Sequence, residues 1–462
     1  MSLIKSISGF RGTIGGSIGM SLTPFDVVSI ASAFGSWCLK RHKKDKNSIS
    51  IVLGRDTRKS GSIISSLVSN TLQSLGINVV DIGITTTPTL SIAVIQEKAH
   101  GGIMITASHN PSGWNALKLF NENGECICAS SITQILETER LGIYDFATES
   151  NLGSYQLSKL DYIEEHIKLI MALPIVATHN KLNKFKVALD GVNSTGGVAI
   201  PKLLHAFGIN KIIELNCIPN GDFTHNPEPL PHNLVQLQNL VKSESCDLGI
   251  AVDPDVDRLT IIDENGNFWG EEYTLVISAD YVLKNNPGHN TVSNLSSTNA
   301  LNDVTITHGG LHYVSPVGEA HVVAKMKEIN AIIGGEGNGG VIYPELHFGR
   351  DALIALAIVL TYLGESKKTA SQLRSNFPDY YMNKHTVHIS DDNTFNTYLN
   401  KIKNTYKKHK IITEDGLKIL FEDGWILIRK SNTEPIIRVF TEAKSLKRCE
   451  EISSQLLQIF FL

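Results

Sequence analysis

Asp253, Asp255 and Asp257 recur at every second residue in "AVDPDVDRL" (251–259), and Arg258 follows them. A helix would scatter carboxylates at this spacing, whereas extended chain turns all three to one side. Pro254 biases Asp253 toward extended backbone. Three carboxylates on one face repel one another unless a cation lies between them, and an all-oxygen donor set without His or Cys suits Mg2+. Arg258 could bind a phosphate beside such a metal. The same residues would equally serve as an acidic turn after a strand.

A second cluster is "ITASHNPSGWNALK" (105–118), in which an apolar, strand-like run empties into Ser108, His109, Asn110 and Pro111, with Lys118 further on. This is either an ordinary strand exit or a nucleophilic serine held at a strand tip. Of the histidines in the chain, only His109 has a context of this kind. In "RKSNTEPIIR" (429–438), Arg429 and Arg438 flank Ser431, Asn432 and Thr433. Hydroxyls, backbone N–H groups and two forked guanidiniums suit a phosphate dianion, and a plain hairpin turn would read the same way. "GGEGNGG" (334–340) lacks the lysine of a Walker loop and the spacing of a dinucleotide fingerprint. It makes a tight turn, in which Glu336 and Asn338 could present an acceptor and an amide to sugar hydroxyls. "SISGFRGTIGG" (6–16) sets Arg11 among glycines, as an anion nest or as a flexible terminus.

Elements able to position these clusters recur along the chain. Strand-like 49–54, a helix over 62–76, strand-like 77–83, a helix over about 88–98 and the Ser108 strand make a βαβαβ run. The order returns at 185–253 and again from about 258 to 343, which gives three α/β units of roughly 100 residues each. Beyond about 370, short strands alternate with lysine-rich stretches and a final helix closes the chain, as in a smaller α+β domain. The polar clusters fall at the carboxyl ends of strands, where open α/β sheets carry ligands.

The 462 residues exceed one domain and 42% are hydrophobic, enough for several cores. A formal charge of −4 without a long basic block argues against nucleic acid and against an anionic membrane surface. The longest apolar run, 352–360, is too short to span a bilayer and reads as a buried helix. The six cysteines show no zinc spacing. The opening "MSLIKSISGFRG" has no apolar signal segment, so reduced thiols and a cytoplasmic setting are expected.

Taken together, "TASHNP" with Lys118, "DPDVDR", "GEGNGG" and "RKSNTEPIIRV" resemble, in order and spacing, the α-D-phosphohexomutase superfamily of phosphoglucomutases, phosphomannomutases and phosphoglucosamine mutases. "GFRG" and "GRDTRKSG" (54–61) fit as well, and the likeness covers essentially the whole chain. It implies three similar α/β/α domains with mixed sheets plus a C-terminal α+β, TATA-binding-protein-like domain around a central cleft. The domains would be 1–152 with the phosphoserine loop, 153–254 ending in the metal loop, 255–368 with the sugar loop, and 369–462 with the phosphate loop.

The resemblance also implies roles. Ser108 would carry the phosphoryl group and, with Asp253, Asp255 and Asp257, hold one Mg2+ per subunit. Arg11 and Lys118 would flank the reacting oxygens as acid/base groups beside His109. Arg258, Gly318, Glu319, Glu336 and Asn338 would contact substrate, and Arg429, Ser431, Asn432, Thr433 and Arg438 would grip its non-reacting phosphate. A hexose 1,6-bisphosphate would be the intermediate, a small hexose phosphate the partner, and a monomer or homodimer the assembly.

Pro254 and "GEGNGG" place the chain nearer the archaeal-type branch, while Ala116 stands where glycine commonly follows Asn115. That branch includes phosphoglucosamine mutases. Glu319, in "SPVGEAHVVAKM" (315–326), adds a carboxylate that together with Glu336 could favour an ammonium at C2, unless it only caps the following helix. Glucosamine phosphate is therefore the expected substrate, with a phosphomannomutase/phosphoglucomutase as the alternative. A phosphatase using an aspartate nucleophile would leave Ser108 and 429–438 without a role. A non-catalytic sugar-phosphate binder would have no need of Ser108.

Overall fold

The computed structural model describes residues 3–6, 9–42, 48–388, 392–430 and 436–461. These form two compact units, Met1–Thr274 with Asn338–Arg374, and Leu275–Gly337 with Ser375–Leu462.

The first unit opens with β1 (Ile4–Ser6), β2 (Gly9–Thr13), α1 (Pro24–His42), β3 (Ser50–Arg55), α2 (Gly61–Ser74), β4 (Asn78–Ile84), α3 (Thr87–Gln96), β5 (Gly102–Ile105), β6 (Trp114–Phe120), α4 (Ala129–Leu141) and β7 (Tyr155–Leu157). They build one seven-stranded mixed sheet, ordered β1-β2-β6-β5-β3-β4-β7. The β3, β4 and β5 run matches the expected parallel βαβαβ. The antiparallel half does not appear in that reading: β2 pairs with β6, Arg11 opposite Ala116, and β6 pairs with β5. Arg11 is thus held in a strand rather than on a loose terminus. Phe10, Ile51, Leu53, Ile103, Ile105 and Leu117 join α1 and α2 in one core.

The unit continues through α5 (Tyr162–Met171), β8 (Lys186–Asp190), α6 (Gly196–Ala206), β9 (Lys211–Leu215), α7 (Val235–Ser243), β10 (Leu248–Val252) and β11 (Leu259–Asp263). The second sheet is ordered β11-β10-β8-β9. β11 pairs antiparallel with β10, so it completes the second sheet instead of opening a third round. Both strands are buried along their whole length, which explains why apolar residues predominate in them.

In the second unit, α8 (Glu271–Asn285, from Leu275 on), β12 (Thr291–Asn294), α9 (Ala300–Thr307), β13 (His312–Ser315), α10 (Glu319–Ile329) and β14 (Ile333–Glu336) follow. β13, β12 and β14 lie parallel in that order. The chain then returns to the first unit with β15 (Gly340–Ile342), α11 (Ala352–Glu365) and α12 (Ala370–Arg374). The expected buried helix is α11, in which Ala352 to Thr361 are all buried. The second unit closes with β16 (Tyr381–His388), α13 (Asp392–Thr405), β17 (Lys410–Ile412), β18 (Leu417–Leu420), β19 (Gly424–Lys430), β20 (Ile436–Ala443) and α14 (Leu446–Phe461). Its five-stranded sheet, β16-β20-β19-β18-β17, is antiparallel throughout and packs on α14. This is the α/β organisation with a closing α+β domain that the sequence implies.

Candidate active site

The reactive residues gather in the first unit at the ends of its strands. β5 delivers Thr106, Ala107 and Ser108. Ser108 is 3% exposed and adopts φ +49, a left-handed conformation that L residues seldom take. Its Oγ donates to Asp253 Oδ2 at 2.7 Å and lies 3.3 Å from His109 Nδ1. Its N–H donates to Thr106 Oγ1 at 3.0 Å.

Arg58 holds this turn. Its guanidinium donates to the carbonyls of Ser108 (2.6 Å), Asn110 (2.6 Å), Pro111 (2.7 Å) and Trp114 (3.0 Å), and its Nε to Asp56 Oδ2 (3.1 Å). Asp56 in turn takes the Thr106 hydroxyl at 2.6 Å. Both terminal nitrogens of a buried guanidinium are therefore spent on one loop, which fixes where the Ser108 hydroxyl points.

The three aspartates do not lie in extended chain. Residues 253–258 form the tight loop of the β10–β11 hairpin, with Val256 at φ +60. The loop still brings one oxygen of each aspartate within 4.8 Å of the others, and all three are fully buried. Asp253 Oδ1 accepts the N–H groups of Asp257 and Arg258. Asp255 Oδ2 takes Lys118 Nζ at 2.6 Å and the Thr87 hydroxyl. Asp257 Oδ2 takes Arg350 at 2.7 Å and Lys118 at 3.2 Å. Oδ1 of Asp255 and Oδ1 of Asp257 are buried without a hydrogen-bond partner. Two orphaned carboxylate oxygens beside a third carboxylate are what a hard divalent cation would satisfy, so these residues fit Mg2+.

The charges are tightly coupled. Burial and repulsion from Asp257 and Asp255 push the Asp253 carboxyl well above its usual range. Burial acts the same way on Asp257 but is outweighed by Arg350, Lys118 and Arg258, which hold it low. Burial disfavours the Lys118 ammonium, yet Asp255 and Asp257 raise its pKa. Burial and the neighbouring Arg258 lower Arg11 to about 10, and Arg11 donates to Asn110 Oδ1 at 3.1 Å. His109 is driven well below its ordinary value by burial, then by Arg258 and Arg11, so it serves as a hydrogen-bonding neighbour of Ser108 rather than as a cation. Arg258 Nε is buried without a hydrogen-bond partner, 3.6 Å from Asp257 and 4.0 Å from Asp253. It suits an oxyanion.

The "GEGNGG" loop has a geometric reason for its glycines. Gly339 sits at φ +89, and a Cβ there would meet Leu259 O at 2.5 Å; a Cβ on Gly340 would meet Arg350 Cδ at 2.4 Å. The loop thus abuts the start of β11 and lets Arg350 cross to Asp257. Asn338 Oδ1 is buried and unpartnered, as an acceptor awaiting a donor would be.

In the second unit, Glu336 closes β14. It is 5% exposed, and its Oε1 accepts Asn294 Nδ2 at 2.8 Å and the Gly318 N–H at 3.1 Å. Gly318, at φ +125, is the cap residue of α10, and Glu319 stands in the first turn of that helix. Arg429 and Arg438 lie directly opposite on β19 and β20, a like-charge pairing that an anion would relieve. Arg429 Nε also bonds Asp415, whose Oδ2 accepts the Val317 N–H at 2.9 Å. Ser431, Asn432 and Thr433 lie outside the described residues.

Arg58, Arg350 and Thr87 carry no assigned role in the sequence reading. Arg58 lies within "GRDTRKSG", a quoted segment. Arg350 has no motif around it, and only the Asp351 cap that follows could have drawn notice.

Among the described residues no helix is long and apolar enough to cross a membrane. Four family models match in succession: the alpha/beta/alpha domains I (4–140), II (161–266) and III (270–381) and the C-terminal domain (391–459) of phosphoglucomutase/phosphomannomutase. A phosphoglucomutase/phosphomannomutase of Thermococcus kodakarensis is 36% identical over 95% of this chain and 96% of its own. A phosphoglucosamine/phosphogalactosamine mutase of Sulfurisphaera tokodaii is 31% identical over 96% and 97%. The crystal structure of a phosphoglucomutase/phosphomannomutase family protein from Burkholderia thailandensis shares the fold, with TM-score 0.82 and 24% identity over 99% of this chain and 97% of that one. The chain belongs to the phosphoglucomutase/phosphomannomutase family and is a phosphohexomutase, an enzyme that transfers a phosphoryl group within hexose phosphates.

Proposed function

We propose that the enzyme interconverts the 6- and 1-phosphates of glucosamine through a phosphoserine at residue 108 and a hexosamine 1,6-bisphosphate intermediate. The observation that carries the phosphoserine is the Ser108 hydroxyl, locked at a strand tip on Asp253 beside two unsatisfied carboxylate oxygens and a ring of cations. Phosphoryl transfer asks a protein chiefly for in-line placement and charge neutralisation. The phosphoryl group leaves Ser108 Oγ for the free sugar oxygen; as the new P–O bond forms and the seryl O–P bond breaks, the proton given up by the sugar hydroxyl ends on Ser108 Oγ. The bisphosphate reverses, and its other phosphoryl group returns to Ser108. Arg58 keeps the seryl backbone still, Arg11 and Lys118 flank the exchanging oxygens, and Arg258 and Arg350 offset charge. Asp253, Asp255 and Asp257 would hold Mg2+, which neutralises the seryl phosphate when bound. Asn338 and Glu336 would contact sugar hydroxyls, and Arg429 and Arg438 the phosphate that does not react.

The amino sugar is favoured by two carboxylates near one loop, Glu336 bonded to the Gly318 N–H and Glu319 next in the chain. A charge-assisted hydrogen bond to an ammonium contributes about 1.5–3 kcal/mol, or roughly one to two decades of discrimination. The neutral-hexose reading is supported by the Thermococcus kodakarensis relative, named for glucose and mannose phosphates. The test compares kcat/KM for glucosamine 6-phosphate, glucose 1-phosphate and mannose 1-phosphate. The amino sugar should lead by at least about tenfold; equal or better turnover of either neutral hexose replaces the proposal with the second reading.

A further inference from the structure

We infer that His166, remote from the reacting atoms in sequence and role, is a positioning residue for the aspartate loop. The inference rests on the reading that this loop binds a divalent cation.

Two helix starts grip that loop. From α3, the Thr87 N–H donates to the Asp255 carbonyl at 2.9 Å and the Thr87 hydroxyl to the Asp255 carboxylate. From the start of α11, the Ala352 N–H donates to the Val256 carbonyl at 3.2 Å, and Arg350 to Asp257 at 2.7 Å. The spacing of the two helix starts therefore sets the spacing of Asp255 and Asp257. The His166 imidazole, carried by α5, spans it: Nδ1 lies 3.0 Å from Thr89 Oγ1 on α3, and Nε2 lies 2.9 Å from Asp351 Oδ2, the cap of α11. Thr89 is two residues past Thr87, and Asp351 stands between Arg350 and Ala352. His166, Thr89 and Asp351 are each 0% exposed.

A carboxylate oxygen only accepts, so the His166 nitrogen that faces Asp351 carries a hydrogen. The other nitrogen faces the Thr89 hydroxyl, whose oxygen receives the Thr86 hydroxyl at 2.7 Å. Asp351 Oδ1 is spent on the N–H groups of Leu353 and Ile354, and its Oδ2 also accepts His347 Nε2 at 3.2 Å. His166, His347 and Asp351 bring ligand atoms within 4.8 Å of one another. The nitrogens facing Asp351 donate to it, so the three side chains are tied together as a hydrogen-bonded strut. Removing the imidazole takes one donor from the buried Asp351 carboxylate and one partner from the buried Thr89 hydroxyl, and the two helix starts lose the side chain that joins them. A hard cation needing near-octahedral geometry is sensitive to the placement of its ligands; losing a contact made directly to a ligand typically costs ten- to a hundredfold in affinity, and a strut one contact further out should fall at the low end of that range.

The test titrates the whole protein with Mn2+, following loss of the free-ion EPR signal, in wild type, His166→Leu, His166→Gln and Thr89→Val, with thermal unfolding alongside. His166→Leu should bind Mn2+ about tenfold more weakly. His166→Gln, whose amide can still donate to Asp351, should recover to within about threefold of wild type, and Thr89→Val should fall between them. A His166→Leu protein that melts earlier but binds Mn2+ like wild type overturns the inference, since burial alone would give that result. Should His166→Leu not fold, unaltered Mn2+ affinity in Thr89→Val overturns it instead. Failure of the wild type to bind Mn2+ would be a different result, removing the metal reading of the aspartate loop and this inference together.

Discussion

The two units hold the charged residues of their proposed phosphate sites differently. In the first, the reactive side chains are buried and locked to one another: Arg58 spends its donors on the Ser108 turn, and Lys118 and Arg350 are pinned to Asp255 and Asp257. In the second, Arg429 is partly buried and paired with Asp415, and Arg438, opposite it with like charge, is exposed. The difference follows from the proposed tasks. A reacting phosphoryl group needs donors that do not reorganise, whereas a grip on the phosphate that stays behind must release and take it again.

The largest expected effect comes from breaking the first unit at its nucleophile. Ser108→Gly should lose at least about 10^4-fold in turnover. The same change relieves a φ of +49 and should leave stability equal or raise it by about 1 kcal/mol. Retained activity refutes the phosphoserine, and marked destabilisation shows that the turn is not strained. Next in size is Arg58→Met, which takes the counter-charge from buried Asp56 and frees four carbonyls. About 3–5 kcal/mol of stability should disappear in urea unfolding. A loss below about 1 kcal/mol would show that the clamp is dispensable.

How far the sequence discloses all this depends on where a signal is local. The aspartate spacing, the Ser108 turn and the α11 run are written in consecutive residues, and each corresponds to a formed element. The conformation of the aspartate loop is not: Pro254 suggests extended chain, but pairing of β10 with β11 forces a hairpin with Val256 at φ +60. The antiparallel half of the first sheet escaped because "GFRGT" and "WNALKLF" declare themselves only by pairing with each other across about a hundred residues. Arg350 and His166 escaped for the same reason. Their partners, Asp257 and Asp351, are far away in the chain, and nothing in the flanking sequence marks them.

In the second unit the effects should be smaller and should separate binding from chemistry. Asp415 accepts both Arg429 Nε and the Val317 N–H, so it holds one arginine and the residue before Gly318. Asp415→Asn should raise the KM for sugar phosphate by roughly three- to tenfold, or up to about 1.4 kcal/mol, with kcat within about twofold. Tighter binding in the variant would mean that Asp415 competes with the phosphate for Arg429 and does not steady it.

The smallest expected effect is a dependence on pH that the second unit shows through His312. Its Nδ1 lies 2.9 Å from Thr291 Oγ1 and its Nε2 3.2 Å from Ser293 Oγ, both of them hydroxyls. Burial, then the nearby Lys418 cation, pushes the imidazole down to about 3. The unfolded chain takes up a proton near pH 6.5 while the folded one does not, so below that pH the unfolded state binds more protons and stability falls with acid. The contribution is complete above about pH 6.5 and is lost progressively as pH drops toward 3, on the order of 1 kcal/mol between pH 6.5 and 5. His312→Gln keeps a polar side chain between the two hydroxyls and removes the titration. Thermal unfolding from pH 7 to 5, followed by Trp425 emission in a protein whose other tryptophans are replaced by Phe, should slope for the parent and flatten for the variant. Equal slopes would assign the acid sensitivity to other groups. A steeper fall at the first unit's tryptophans, read in the converse protein that keeps them, would show that the locked charges of the first unit are the more fragile set.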